Sequence, residues 1–285
     1  MRTALVFGGS GQIGEPVIAR LCEAGWGVVA VSREPRADSH GLKWLRGDLQ
    51  RQDGLPGEVD AIFSLGPLDH FSRWYAASPV VSPRVVAFGS TSLETKHDSS
   101  DAQERSLSVR LHAAEALVFE TASHRNAGAT LLRPTLVYGA ARDRTLTEIA
   151  RLAGRTGVFI LPRSATGLRQ PVHVQDLAIA AHAVVDVEAT HARSYALPGG
   201  ETLRYSDMVE RTLASLRPPA RLVRVPDLAF RTALAGAHAV GKMRGLGTAA
   251  LARMGDDLVF DATPARQDFG YSPRKFEPEA SMFSL

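Results

Sequence analysis

The chain has 285 residues, of which 45% are hydrophobic, enough to bury one large core or a main domain with an appendage. No apolar run approaches the ~20 residues of a membrane-spanning helix, and the single cysteine, Cys22, excludes an intrachain disulfide or a thiolate metal cluster, so no metal site is expected. The formal net charge of +3 rests on scattered arginines with no basic run, which argues against nucleic acid as a partner.

Thr3 to Phe7 is an apolar run that reads as a buried strand. Only Met1 and Arg2 precede it, leaving no room for a signal peptide, and a cytoplasmic location is expected. Phe7-Gly8-Gly9-Ser10-Gly11-Gln12-Ile13-Gly14 follows and opens onto an amphipathic helix, Glu15 to Ala24, ended by Gly25. The spacing Gly8-x-x-Gly11-x-x-Gly14 between a strand and a helix fits a dinucleotide's pyrophosphate. One glycine makes the turn, one lets backbone approach phosphate, and one lets the helix pack on the strand. A helix N-terminus then presents free N–H groups to the anion.

Gly27 to Ser32 reads as the second strand. Domains that bind NAD place an acidic side chain at its end, against the ribose 2′-hydroxyl. Ser32 and Arg33 stand there instead, with Arg36 nearby. A hydroxyl and a guanidinium suit a 2′-phosphate, so NADP is favoured over NAD; the competing reading leaves Arg33 and Arg36 as surface charges and gives the ribose to Asp38. Lys43 to Arg46 is a third strand followed by Gly47-Asp48-Leu49, and Asp60 to Leu65 a fourth, ending at Gly66-Pro67. A helix over Asp69 to Ala77 leads to a buried strand, Arg84 to Phe88, with Gly89-Ser90-Thr91-Ser92 at its carboxyl end. Ligands of open α/β sheets bind at such ends.

A helix is expected from about Asp101 to His124, with Leu107, Leu111, Ala114, Leu117 and Val118 on one face, then a strand over Ala129 to Arg133 that ends in Pro134. Strands alternating with helices predict an α/β protein with a doubly wound parallel sheet of Rossmann type. Beyond Gly139 the pattern is more broken: a helix over Thr145 to Ala153, a strand over Val158 to Leu161, a helix opening near Asp176 and a strand over Ser194 to Leu197. Helices follow near Ser206 to Ser215, Asp227 to Val240 and Thr248 to Met254, with a strand near Asp257 to Phe260 and a proline-punctuated tail. Residues 1–140 and 168–197 are assigned to the nucleotide-binding domain, and 141–167 and 198–285 to a small C-terminal α/β lobe.

The spaced motifs together resemble the NAD(P)-dependent epimerase/dehydratase family of extended short-chain dehydrogenases/reductases. They are the glycine turn, Gly47-Asp48-Leu49, Arg133-Pro134 with Val137-Tyr138-Gly139, Pro171-Val172-His173-Val174-x-Asp176-Leu177-Ala178, and Phe269-Gly270-Tyr271-x-Pro273-Arg274-x-Phe276. By that resemblance Gly8, Gly11, Gln12, Ile13 and Gly14 hold pyrophosphate, and Ser32 and Arg33 the 2′-phosphate. Asp48 and Leu49 contact adenine, while Leu65, Gly66 and Pro134 line the ribose and nicotinamide. His173 and Asp176 are structural.

The catalytic positions depart from the family. Its working unit is a Ser or Thr after the fifth strand, matched by Thr91, and a Tyr-x-x-x-Lys pair usually followed by Glu four residues on. With Glu115 as that Glu, Leu107 stands at the tyrosine position and Leu111 at the lysine position. None of the lysines, Lys43, Lys96, Lys242 and Lys275, has a tyrosine four residues before it. Leucine neither exchanges a proton nor stabilises a phenolate. Thr91 and Tyr138 remain as catalytic candidates; Arg110, His112, Lys96 and His97 read as surface groups.

Two functions are therefore open. One is an oxidoreductase or epimerase-like enzyme moving hydride to or from a carbonyl or alcohol of a polar metabolite such as a nucleotide sugar. The other is a non-catalytic NADP-binding redox sensor, assembly factor or scaffold with a protein partner, an NmrA-like regulator being a further variant.

Overall fold

In this computed structural model the described residues are 1–97, 99, 101–143, 145–239 and 253–283. The chain forms two compact units: the first comprises Met1–Thr135, Val174–Leu197 and Asp261–Pro273, the second Leu136–His173, Pro198–Phe260 and Arg274–Leu285.

The first unit opens with β1 (Thr3–Phe7), α1 (Gly14–Glu23), β2 (Gly27–Ser32), β3 (Leu42–Arg46), β4 (Ala61–Ser64) and α2 (Leu68–Ala77). It continues with β5 (Arg84–Phe88), the short α3 (Ser92–Thr95), the long α4 (Ala102–His124) and β6 (Gly128–Pro134). In the second unit lie β7 (Val137–Tyr138), α5 (Leu146–Thr156), β8 (Val158–Pro162), β9 (Leu168–Arg169) and β10 (Val172–His173). The chain then returns to the first unit for α6 (Val174–Ala183) and β11 (Arg193–Leu197). The second unit is extended by β12 (Leu203–Arg204), α7 (Tyr205–Ser215), β13 (Arg221–Val225) and α8 (Asp227–Ala239), and α9 (Thr263–Phe269) belongs again to the first.

The main sheet is parallel throughout, in the order β11-β6-β5-β4-β1-β2-β3. Its strands are nearly all apolar because both faces are covered. Alternate residues such as Leu5, Phe7, Val31, Val85 and Ala87 enter one core cluster with α2 and α4; α1 and α6 pack together on the other face. Phe7, Phe71, Trp74 and Tyr75 form the aromatic centre of that cluster, with Phe71 stacked on Tyr75 at 5.8 Å. The chain leaves β1 to β2 on one side and returns to β4 on the other. That reversal splays the loops after β1 and β4 and opens a crevice at their carboxyl ends.

At the opposite ends of the strands, Arg84 is 4% exposed and solvated by protein oxygens. Its guanidinium donates to the carbonyls of Gly128, Val184 and Val185 and to the hydroxyls of Thr130 and Thr190. Burial pulls its pKa down to about 10. One cation thereby joins β5, β6 and the turns after α6, which an arginine at a strand start does not announce.

In the second unit β8 and β13 pair in parallel. Its core gathers Tyr138, Leu146, Ile149, Leu161, Met208, Val209 and Phe276. β13, read RLVRV, was not expected as a strand, since its arginines break the apolar run. Two expectations need correction. Residues 257–260 form no strand; their backbone is fixed by Leu258 N donating to Leu168 O at 2.9 Å and Phe260 N to Gln170 Oε1 at 2.8 Å, while Asp257 Oδ1 accepts from Leu168 N at 2.8 Å. The tail contains a helix, α9, because its proline falls in the first turn, where no N–H is needed, and Asp261 accepts from Thr263 N there. Of the helix expected near Thr248 to Met254, residues 248–252 lie outside the described residues, as does Val240 at the end of the Asp227 helix.

Candidate functional site

Gly8 leaves β1 with φ +77°, and a Cβ there would lie 2.8 Å from Gly66 N, so the turns after β1 and β4 nearly touch. A Cβ on Gly14 would run into the carbonyls of Gly8 and Gly9: the first turn of α1 sits directly on the loop. Gly11 N donates to Gly8 O at 3.0 Å, and a Cβ on Gly11 would crowd only that oxygen, leaving its other side open. The start of α1 has no side-chain cap. Gln12 Oε1 is buried without a hydrogen-bond partner beside this turn, an acceptor waiting for a donor.

A cleft of about 380 Å³ opens above the turn. Of the expected cofactor residues, Gly8, Ser32, Arg33, Asp48, Leu49 and Gly66 line it, together with Ser10, Gly47, Gln50, Pro67 and His70. Gly11, Gln12, Ile13 and Gly14 form the turn and helix start beside it. The Asp48 carboxylate accepts from Gln50 N at 2.7 Å and Arg51 N at 2.9 Å. Those backbone bonds, aided by Arg33 and Arg51, hold it below the usual carboxylate range and ionised. Arg36 is engaged elsewhere, 3.5 Å from Glu15 and over the Trp44 ring. Asp38 accepts from Trp44 N at 2.7 Å and is not part of the cleft wall. At the end of β2 the cleft therefore meets a hydroxyl and one guanidinium, Arg33. Ser10 and His70 were not singled out from the sequence; the signal for His70 was its place in the first turn after Gly66-Pro67.

Further along the same strand ends, Thr91 is 8% exposed and donates from Oγ1 to Pro134 O at 3.2 Å. At the two positions that the spacing from Glu115 had picked out, Leu111 is buried in the main core and Leu107 packs against it. Beside them Arg133 holds the buried Glu115 through both carboxylate oxygens and reaches Glu94 Oε1 at 2.9 Å. Ser108, fully buried, donates to Leu93 O at 2.5 Å, and Lys96 pairs with Glu104 at 3.6 Å, so α3 and the turn after it are fastened to α4. Arg110 and His112 are exposed. Leu65 precedes Gly66 at the end of β4. Tyr138 does not line the cleft: it is 1% exposed in the second unit's core, 3.5 Å from Lys275 O and edge-on to His173 and Phe276. Among the described residues no group of three or more His, Cys, Asp or Glu could hold a metal ion, and no helix is long and apolar enough to cross a membrane.

No protein-family profile matches the sequence, and neither does any curated protein. Solved structures match over nearly the whole chain. An epimerase, Mth375, from the methanogen Methanothermobacter thermautotrophicus superimposes with a TM-score of 0.71 at 15% identity, covering 99% of this chain and 90% of that one. The chain shares its fold. MoeE5, solved with UDP-glucuronic acid and NAD, gives a TM-score of 0.70 at 20% identity, covering 99% of this chain and 97% of its own. The Bordetella bronchiseptica enzyme WbmF, solved with NAD+, gives 0.69 at 16% identity with coverage of 99% and 90%. A seven-stranded parallel Rossmann sheet flanked by helices is thus the architecture of this chain and of these proteins.

Proposed function

We propose that the protein binds a nicotinamide dinucleotide, NADP in preference to NAD, and belongs with the epimerase/dehydratase branch of the extended short-chain dehydrogenases/reductases. The observation that carries this reading is the Arg33 side of the cleft. A guanidinium in no ion pair among the described residues and a hydroxyl stand where a ribose-binding carboxylate would repel a 2′-phosphate. The residues fit the group: Gly8 and Gly14 stand where a Cβ would strike backbone, and the uncapped N-terminus of α1 suits pyrophosphate. Asp48 and Leu49 would meet adenine, and Leu65, Gly66 and Pro134 the ribose and nicotinamide. The bound cofactor supplies a carbon that accepts or donates hydride. Thr91 would orient a carbonyl or alcohol. UDP sugars bound to MoeE5 support a nucleotide sugar or similar polar metabolite as the substrate class.

A second reading, a cofactor-binding sensor or scaffold without turnover, is favoured by one observation: both dyad positions are spent on core packing. Calorimetric titration with NADPH and NADH tests the first claim. NADPH is expected to bind the tighter by at least about tenfold, with Arg33→Asp reversing the order; equal affinities would overturn the 2′-phosphate assignment. Incubation with UDP-glucose and UDP-glucuronic acid, followed both by nicotinamide absorbance for net oxidation and by chromatography of the sugar nucleotides for redox-neutral epimerisation or dehydration, separates the readings. Conversion by either readout that Thr91→Ala abolishes supports the enzyme, and none by both readouts with either sugar, while NADPH still binds, supports the sensor.

A further inference from the structure

The second unit contains an apolar groove of about 410 Å³, separate from the cleft in the first unit and within the range of ~300–1,000 Å³ typical of small-molecule sites. Its floor is buried: Leu161 is 1%, Leu234 8% and Met254 8% exposed. Its mouth is not, since Ile160 is 50% and Leu152 45% exposed, far more than chance solvation of isolated side chains would collect in one place. Two arginines stand at the edge of this apolar surface. Arg155 follows Leu152 by three residues on the same face of α5, and Arg221 is the register partner of Val158, so both project from the same face of the β8–β13 pair. Neither is in an ion pair among the described residues, whereas the nearby Arg151 and Arg224 are held by Glu148 and Asp207.

We propose that this groove binds a single-chain anionic amphiphile, its hydrocarbon chain along Ile160, Leu161 and Leu234 and its head group at Arg155 and Arg221. The charge at the mouth decides among occupants. A second copy of the chain docked through the same patch would bring two pairs of arginines into one interface whose groove-lining residues offer no carboxylate to meet them. An anionic head group is instead drawn to them, and the apolar chain covers the surface that water now meets.

The test is calorimetric titration of the full chain with dodecanoate below its micellar concentration, beside dodecyltrimethylammonium. Saturable one-to-one binding of dodecanoate is expected, with the cationic amphiphile weaker by at least about tenfold. Ile160→Asp, at an exposed position, should remove the binding without lowering the unfolding temperature. Arg155→Glu combined with Arg221→Glu should invert the preference between the two amphiphiles. Equal binding of both, or an Ile160→Asp variant that binds dodecanoate normally, overturns the proposal. So does adsorption to phosphatidylglycerol vesicles without dodecanoate binding, which would make the face a membrane-surface site. Dimerisation abolished by Ile160→Asp, with no dodecanoate bound, also overturns it and makes the face an interface between copies.

Discussion

Gly14 and Leu111 carry opposite lessons about single residues. Gly14 was legible in the sequence because its requirement is local: a helix that begins on a tight turn has no space for a Cβ. Gly14→Ala is expected to cost about 1–3 kcal/mol through overpacking and to weaken NADPH binding, measured by urea unfolding and titration; an unchanged protein would deny the contact with the Gly8 and Gly9 carbonyls. Leu111 was read as a missing catalytic lysine, and its neighbours show why the site cannot simply be restored. Its side chain lies in the main core, so Leu111→Lys puts an unpaired charge there and should cost roughly 3–5 kcal/mol, alone or with Leu107→Tyr. Arg133→Met should cost a similar ~3–5 kcal/mol, because it strands the Glu115 carboxylate, 5% exposed, without its cation. Denaturant unfolding of either variant at the wild-type midpoint would contradict these assignments. Glu115 was singled out in the sequence by its spacing, whereas its partner Arg133 could be seen only once β6 lay beside α4.

Among the elements, those with strong periodicity and local punctuation matched expectation within a residue or two: β1, α1, β2, β5, α4 with Asp101 as its N-cap, and β6. Those missed depend on partners remote in sequence. β13 exists because β8 offers a parallel edge, and residues 257–260, strand-like in composition, found one backbone carbonyl, Leu168 O, and one side-chain acceptor, Gln170 Oε1, instead of a ladder. α9 is held to β11 by Tyr195 donating to Asp268 Oδ2 at 2.6 Å and by Arg193 at 3.1 Å from the same oxygen. Burial first, then the bond to Asp268, raises the Tyr195 pKa from 10.0 to about 12. A raised folded-state value means that this contribution to stability is complete below about pH 10, the unfolded value, and is lost as pH rises through about 12. Burial raises Tyr75, Tyr205 and Tyr271 as well, so ultraviolet titration of the phenolates should show one late-ionising tyrosine fewer in Tyr195→Phe than in the wild type. The variant's stability should fall less steeply between those two pH values than the wild type's; parallel curves would remove Tyr195 from the account.

For the whole molecule, the sheet order places the crevice. Strand β1 has β2 on one side and β4 on the other, and the loops that diverge there carry Gly8, Ser32, Arg33, Asp48 and Gly66 to one cleft from four separate stretches of chain. A ligand held by so many connections binds the folded state alone. NADPH at about one hundred times its Kd should therefore add about 2.7 kcal/mol to the stability of the first unit. Differential scanning calorimetry checks this, and an unfolding transition that ignores NADPH would count against the proposed site.

By itself the sequence determined the strand–helix alternation, the glycine turn, the uncharged Ser32 and positive Arg33 at the end of β2, and the lack of a tyrosine–lysine pair. Each of these is a matter of residue type at short spacing, where backbone sterics and charge act within one or two turns. The tertiary structure alone decided that Leu111 and Leu107 are spent on the main core, where Tyr138 lies, how Arg133 reaches Glu115 and Glu94, which strand accompanies β8, and that residues 261–273 return to the sheet unit. Those outcomes depend on which surfaces meet after the chain has folded back on itself, and burial, not local preference, then sets which polar groups must find a partner.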